Sequence, residues 1–113
     1  MLETTFLILL GIQFAHSIEE LTNDFHNKFP PFKMSFKVFL TFEILFLGFW
    51  IGVFLLENLK FREVLMHVFA ILMFANGLWH IVWGSITKKY VPGLVTAPLF
   101  IIVFLWFYFT SLM

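Results

Sequence analysis

The residue types best suited to chemistry are one histidine and two glutamates, His16, Glu19 and Glu20, near the end of the first hydrophobic segment. A helix turns by about 100° per residue, so the two glutamates flank the direction of the histidine and all three side chains can share one face. Ionisable groups at membrane depth cost roughly 2.5–3.5 kcal/mol each and usually mark a functional site. The cluster therefore predicts proton transfer or metal binding at membrane depth.

Three more strongly polar residues, Glu43, Asn76 and His80, stand inside later hydrophobic segments. At 1.5 Å per residue, Glu43 and His80 lie about 9 Å and about 12 Å along their helices from the nearest loop lysine, and Asn76 lies one turn deeper. These depths place all three on the same side of the membrane as Glu20. We expect the side chains to converge there, whereas His67 lies on the helix face opposite Asn76 and is left out of the site.

The composition is that of an integral membrane protein. Of the 113 residues, 61% are hydrophobic and 12% are charged, whereas soluble domains carry about 25% charged residues. The formal net charge is zero, so the chain lacks the basic surface that binds nucleic acid. It contains no cysteine, which excludes disulfides and thiolate ligands. We expect the lipid bilayer as its surroundings and a hydrophobic small molecule or lipid as its substrate.

Hydropathy predicts one all-α domain, an antiparallel bundle of four transmembrane helices. A helix needs roughly 20 mostly apolar residues to cross a bilayer. The predicted spans cover residues 2–21, 36–56, 63–86 and 91–113. The linkers between them are short, and Pro30 and Pro31 in the first linker cannot continue a helix.

Positive charge predicts the orientation of the bundle. The first and third linkers carry five basic residues and the second carries two, namely Lys28, Lys33, Lys37, Lys88 and Lys89 against Lys60 and Arg62. Basic loops stay in the cytoplasm, so the first and third linkers are expected there and both termini outside. The polar cluster then lies in the cytoplasmic half of the membrane.

One interpretation is an intramembrane enzyme that uses acid–base chemistry on a lipidic or isoprenoid-like substrate. A buried carboxyl group can hold and donate a proton, and a neighbouring carboxylate can remove one. In this interpretation Glu20 and Glu43 form the acid–base pair and His16 relays the proton. Asn76 and His80 orient the reacting groups.

Two further interpretations use the same residues. Imidazole and carboxylate groups suit zinc or non-haem iron, and the possible ligands are His16, Glu19, Glu20, Glu43 and His80. With two histidines in the set, a site for one metal ion is favoured over a site for two. Carboxylates and histidines also form proton pathways, so the third interpretation is a proton- or cation-coupled transporter or a binding module, which a homo-oligomer could complete.

Three short patterns coincide with these positions: His16-x-x-Glu19-Glu20, Asn76-x-x-x-His80 and Tyr90-x-Pro92-Gly93-x-x-Thr96. Together they resemble the small bacterial integral membrane proteins named for their HxxEE motif, and the resemblance covers nearly the whole chain. It implies a four-helix protein of the bacterial plasma membrane and marks these positions as the family's signature. It does not supply a reaction.

A second resemblance concerns residue types alone. Emopamil-binding sterol isomerases have a histidine and a glutamate four residues apart, a glutamate on the next helix, and an asparagine and a tryptophan three residues apart. The residues of this chain that are similar in type and order are His16, Glu20, Glu43, Asn76 and Trp79. This resemblance implies a proton-shuttling cavity. The residues expected to bind substrate or shape the neighbouring loop are Trp79, Trp83, Tyr90 and Thr96.

Overall fold

A computed structural model describes residues 1–112 as helices joined by turns. The helices are α1 (Leu2–Thr22), α2 (Phe25–Lys28), α3 (Phe36–Leu55), α4 (Arg62–Thr87) and α5 (Ala97–Leu112). These residues form no strand, so the all-α prediction is confirmed.

The helices differ from the predicted spans in two places. The ends of α1, α3 and α4 lie within one residue of the spans predicted at 2–21, 36–56 and 63–86. The short helix α2 lies within the first predicted linker, before Pro30 and Pro31, and α5 begins at Ala97 rather than at Val91. Pro92 has no backbone N–H, and Gly93 has a φ of +95°, which a right-handed helix cannot accommodate. Residues 91–96 therefore form a turn, although their hydropathy suits a helix.

Helix α1 lies in the middle of the fold. It packs against each of the other four helices, whereas α3 and α5 each pack against α1 and α4 but hardly against each other. The most extensive packing joins α4 to α5, where Gly77 permits close approach. A Cβ atom at Gly77 would lie 2.7 Å from the Ala97 carbonyl oxygen. A side chain on α1 can therefore reach partners from α3, α4 and the turn before α5.

The end of the molecule opposite the polar cluster is closed by an apolar core and one arginine. Phe6, Trp50 and Phe69 pack together in this core. Arg62 donates hydrogen bonds to the carbonyl oxygens of Val53 and Phe54, at 3.2 and 2.8 Å, and so satisfies acceptors that the end of α3 leaves free. It also forms a 2.7 Å ion pair with Glu3 near the start of α1.

Two helices, Phe36–Leu55 and Arg62–Thr87, are long and apolar enough to cross a membrane. Only 22% and 33% of their most apolar stretches are buried inside the fold. A core helix of a soluble protein hides most of its apolar surface. In the part of the chain that the structure describes, α3 and α4 are thus candidate membrane-spanning helices, which supports association with a membrane.

Candidate functional site

Polar side chains of α1 form one buried stripe. Gln13, His16, Ser17 and Glu20 are each at most 5% exposed, and steps of three and four residues place them on one helix face. The Gln13 amide donates a 3.1 Å hydrogen bond to the Ser17 hydroxyl. Burial of four polar groups in so apolar a chain requires partners from other helices.

Helix α3 supplies one of these partners. The carboxylate of Glu43, which is 4% exposed, accepts a 2.5 Å hydrogen bond from the Ser17 hydroxyl. Its carboxyl group lines the same cavity as that of Glu20. Glu43 thus faces the interior of the bundle.

Helix α4 supplies the second histidine. The Nε2 atoms of His16 and His80 are 3.1 Å apart. The two carboxylate oxygens of Glu20 lie 3.6 Å from His16 Nε2 and 3.4 Å from His80 Nε2. All three side chains are buried, and their potential ligand atoms lie within 4.8 Å of one another, so they could hold a metal ion. We call His16, Glu20 and His80 the HEH cluster.

The turn between α4 and α5 covers the HEH cluster. Thr96 Oγ1 lies 2.6 Å from His16 Nδ1, and the Gly93 backbone lies against both imidazole rings. A Cβ atom at Gly93 would lie 2.5 Å from Cε1 of His80 and 2.7 Å from Cε1 of His16. Glycine at this position therefore serves both the positive φ and the close approach to the rings.

Glu19 points away from the cluster and holds this turn. Its two oxygens accept hydrogen bonds from the Tyr90 hydroxyl (2.5 Å), the Val95 and Thr96 amides (both 3.0 Å) and the Thr96 hydroxyl (2.8 Å). Partial desolvation and the bond to Glu19 raise the pKa of Tyr90, which keeps its hydroxyl a neutral donor. With four donors on its oxygens, Glu19 is not placed as a metal ligand.

A cavity of about 500 Å³ adjoins the polar cluster. Aromatic and aliphatic side chains of α2, α3, α4 and the linker before α3 form most of its wall. The polar residues of the wall are Gln13, Glu20, Glu43, Asn76 and His80. The cavity therefore combines an apolar body with a polar end.

The sequence model of one family, described as a protein of unknown function with HXXEE motif, matches residues 7–108. The chain belongs to the HXXEE family. No curated protein and no solved structure matches it, and nothing found supports the resemblance to sterol isomerases. The letters of the motif have separate places in the structure: the histidine and second glutamate belong to the HEH cluster, and the first glutamate holds the turn before α5.

The remaining predicted site residues of this HXXEE protein take different positions. Asn76 and Trp79 line the cavity, and Trp79 stacks on the buried Trp83 with ring centroids 5.2 Å apart. Tyr90 and Thr96 contact Glu19 rather than the cavity. His16 lies behind the cavity wall, next to His80.

Two contributions were missed from the sequence. Ser17 was not singled out, although its position on the buried face of α1 beside His16 was a signal for a polar role. Gly93 was noted as part of a motif, but its contact with both imidazole rings follows from a turn whose shape hydropathy does not report.

Proposed function

We propose that this HXXEE protein is an integral membrane enzyme that performs acid–base chemistry on an apolar, lipidic or isoprenoid-like substrate. The observation that carries the proposal is the cavity of about 500 Å³, whose walls are mostly apolar and whose polar end holds two carboxyl groups, Glu20 and Glu43. Pockets of this kind, apolar with a few convergent polar groups, are typical of small-molecule sites.

The outer surface supports the membrane part of the proposal. Large aliphatic side chains such as Leu45, Leu55 and Ile86 are 67–75% exposed. Contact of such side chains with water is unfavourable, whereas contact with lipid is not. We propose four antiparallel spans, formed by α1, α3, α4 and α5, in a bacterial plasma membrane with both termini outside. Helix α5 has 16 residues, about 24 Å at 1.5 Å per residue, and suits a thin or locally adapted bilayer.

The position of the cavity supports entry of a substrate from the bilayer. Its exposed wall residues include Val38 and Phe42 on α3 and Leu72 on α4. These belong to the two helices that are long and apolar enough to cross the membrane. A hydrophobic molecule could therefore enter between α3 and α4 without passing through water.

The polar end of the cavity supplies the chemistry. Two carboxyl groups that face one cavity can hold different protonation states, so one can protonate a substrate while the other removes a proton from it. The Ser17 hydrogen bond fixes the orientation of Glu43. Asn76 and His80, on the same wall, are positioned to hold a polar group of the substrate.

Deuterium incorporation tests this proposal. The purified protein would be incubated in D₂O with vesicles made from the lipid extract of its native membrane, and the lipids analysed by mass spectrometry. We expect one lipid or isoprenoid class to gain deuterium, and Glu43→Gln to slow this gain by at least about 100-fold, the usual contribution of acid–base catalysis. His67→Gln, on an exposed face of α4, is the control and should react like the unchanged protein. Absence of incorporation by the unchanged protein, or an unaffected Glu43→Gln, would overturn the proposal.

A further inference from the structure

We propose that the HEH cluster, His16, Glu20 and His80, binds one divalent zinc-type metal ion and leaves a fourth coordination position open. The sequence offered five candidate ligands, and the structure selects three. The proposal deepens the proposed function and rests on it only for the use of the metal in catalysis. Metal binding itself can be measured without any substrate.

The distances within the cluster match a tetrahedral site. Zinc lies about 2.0–2.1 Å from nitrogen and oxygen ligands, so two ligand atoms of a tetrahedron are about 3.3 Å apart. In the HEH cluster the two histidine Nε2 atoms are 3.1 Å apart, and the two oxygens of Glu20 lie 3.4 Å from His80 Nε2 and 3.6 Å from His16 Nε2. Each separation is close to this value, with a different oxygen of the Glu20 carboxylate next to each histidine. Two histidines and one glutamate are also a ligand set of zinc sites that keep one position open.

The hydrogen-bond network directs a lone pair of His16 into the cluster. The Thr96 hydroxyl has a single hydrogen, and the Glu19 carboxylate at 2.8 Å is the strongest acceptor in its reach. Thr96 Oγ1 must then accept a hydrogen bond from His16 Nδ1, 2.6 Å away. A neutral imidazole with its proton on Nδ1 has a free electron pair on Nε2, the atom that faces His80 and Glu20.

The surroundings of His80 lead to the same tautomer. Its Nδ1 atom is buried and forms no hydrogen bond with the residues that the structure describes, and the backbone group that interacts with the ring belongs to Pro92. Proline has no N–H, so this group is a carbonyl, which can accept a hydrogen bond from a protonated Nδ1 but cannot donate one. We therefore assign a free electron pair to the Nε2 atom of each histidine. These two atoms face each other and the Glu20 carboxylate.

Three electron-pair donors at 3.1–3.6 Å need a cation between them. In the part of the chain that the structure describes, no lysine or arginine forms an ion pair with Glu20 or Glu43. A buried carboxylate without a compensating charge is costly. A divalent ion on the three ligands would supply this charge.

The site also has the hydrogen-bond partners that metal-binding histidines usually have on their second ring nitrogen. In such histidines the N–H of the other ring nitrogen donates a hydrogen bond to an oxygen that fixes the ring, and removing that oxygen commonly weakens metal binding 10–100-fold. Thr96 accepts this bond from His16 and is itself held by Glu19. Thr96 and Glu19 are therefore positioning residues for the metal.

The proposed ion gives the two carboxylates of the cavity, Glu20 and Glu43, different roles. With the ion bound, Glu20 is a ligand and no longer the acid–base partner of Glu43, and Glu43, held by Ser17, alone exchanges a proton with the substrate. Because Glu20 and His80 belong to the cavity wall and His16 does not, the open position faces the cavity.

The test is a metal titration in detergent. The full-length protein would be stripped with a chelator, titrated with Zn²⁺ alone and measured by elemental analysis and calorimetry, with Co²⁺ absorption reporting the coordination geometry. For the unchanged protein we expect one Zn²⁺ per chain and a tetrahedral Co²⁺ spectrum. The ligand variants His16→Gln, Glu20→Gln and His80→Gln should lose stoichiometric binding. Thr96→Val should bind Zn²⁺ 10–100-fold more weakly. Glu43→Gln and His67→Gln are matched controls that should keep one ion.

Each result of this titration decides the proposal. No Zn²⁺ bound by the unchanged protein, or binding that survives loss of either histidine, would overturn it and leave a proton as the cation of the cluster. If a ligand variant fails to fold, the Co²⁺ spectrum of the unchanged protein tests the proposal. A tetrahedral spectrum supports it and any other geometry contradicts it. Zinc binding without deuterium incorporation would refute the proposed function alone, and incorporation without zinc would refute the metal site alone.

Discussion

At the scale of single residues, the two adjacent glutamates of the motif have different surroundings. Successive side chains on a helix diverge by about 100°, so Glu20 faces two histidines while Glu19 faces the turn before α5. The donors around Glu19 belong to backbone amides and hydroxyls, which suit a permanent carboxylate. Glu20 has imidazole nitrogens and a second carboxyl group around it, which suit exchange of a proton or binding of a metal.

Replacing Glu43 should affect chemistry more than folding. Glu43→Gln keeps the size of the side chain and an oxygen that can accept the Ser17 hydrogen bond. It removes a costly buried acid, so we expect an unchanged or higher melting temperature in detergent. Thermal unfolding followed by circular dichroism measures this. Unfolding of the bundle by both Glu43→Gln and Glu20→Gln would instead show that the cluster is structural.

Gly93 should tolerate substitution far less than an open glycine. In Gly93→Ala the new methyl would overlap both imidazole rings and the backbone would keep a φ of +95°, which together cost about 2–4 kcal/mol. Nothing lies within 4 Å of a Cβ at Gly48, so the control Gly48→Ala should be neutral or up to about 1 kcal/mol more stable. Equal melting temperatures for the two variants would contradict the contact between the turn and the rings.

At the scale of elements, the turn at residues 91–96 shows where sequence reasoning succeeds and where it ends. Long apolar runs bounded by charged or proline-containing linkers predicted α1, α3 and α4, because such runs have few other structures available. The polar groups Glu43 and His80 were expected to meet from their depths. Hydropathy did not predict that residues 91–96 fold back over the histidines, because the turn depends on Pro92 and Gly93 rather than on polarity.

Loss of the Glu19 charge should loosen this turn. In Glu19→Gln one carboxylate oxygen becomes an amide donor that opposes the donors of the turn, so we expect a loss of about 1–3 kcal/mol. Tyr90→Phe removes a single bond at an exposed position and should cost about 1 kcal/mol or less. Hydrogen exchange of the amides at 95 and 96 measures the difference. Unchanged protection in Glu19→Gln would show that the turn is held by packing alone.

At the scale of the whole molecule, the proposed orientation rests on the balance of basic residues, five in or beside the first and third linkers against two in or beside the second. The chain contains no cysteine, so single cysteines can be introduced without background. With a maleimide that cannot cross the membrane, we expect Glu57→Cys to be labelled from outside in intact cells and Lys88→Cys to be protected until the cells are opened. The reverse pattern would invert the proposed topology.

The central place of α1 also has a consequence for biosynthesis. The partners of its buried side chains come much later in the chain: Glu43 follows Ser17 by 26 residues, and His80 and Thr96 follow His16 by 64 and 80. The ribosome produces α1 before α3, α4 and the turn at residues 91–96, so the polar side chains of α1 have no partners from these elements until the turn has been translated. In the four-span arrangement proposed above, α1 would meet lipid during that interval with unpaired polar groups, which is costly. Helix α1 is therefore synthesised before its partners and reaches its final packing only after the last of them.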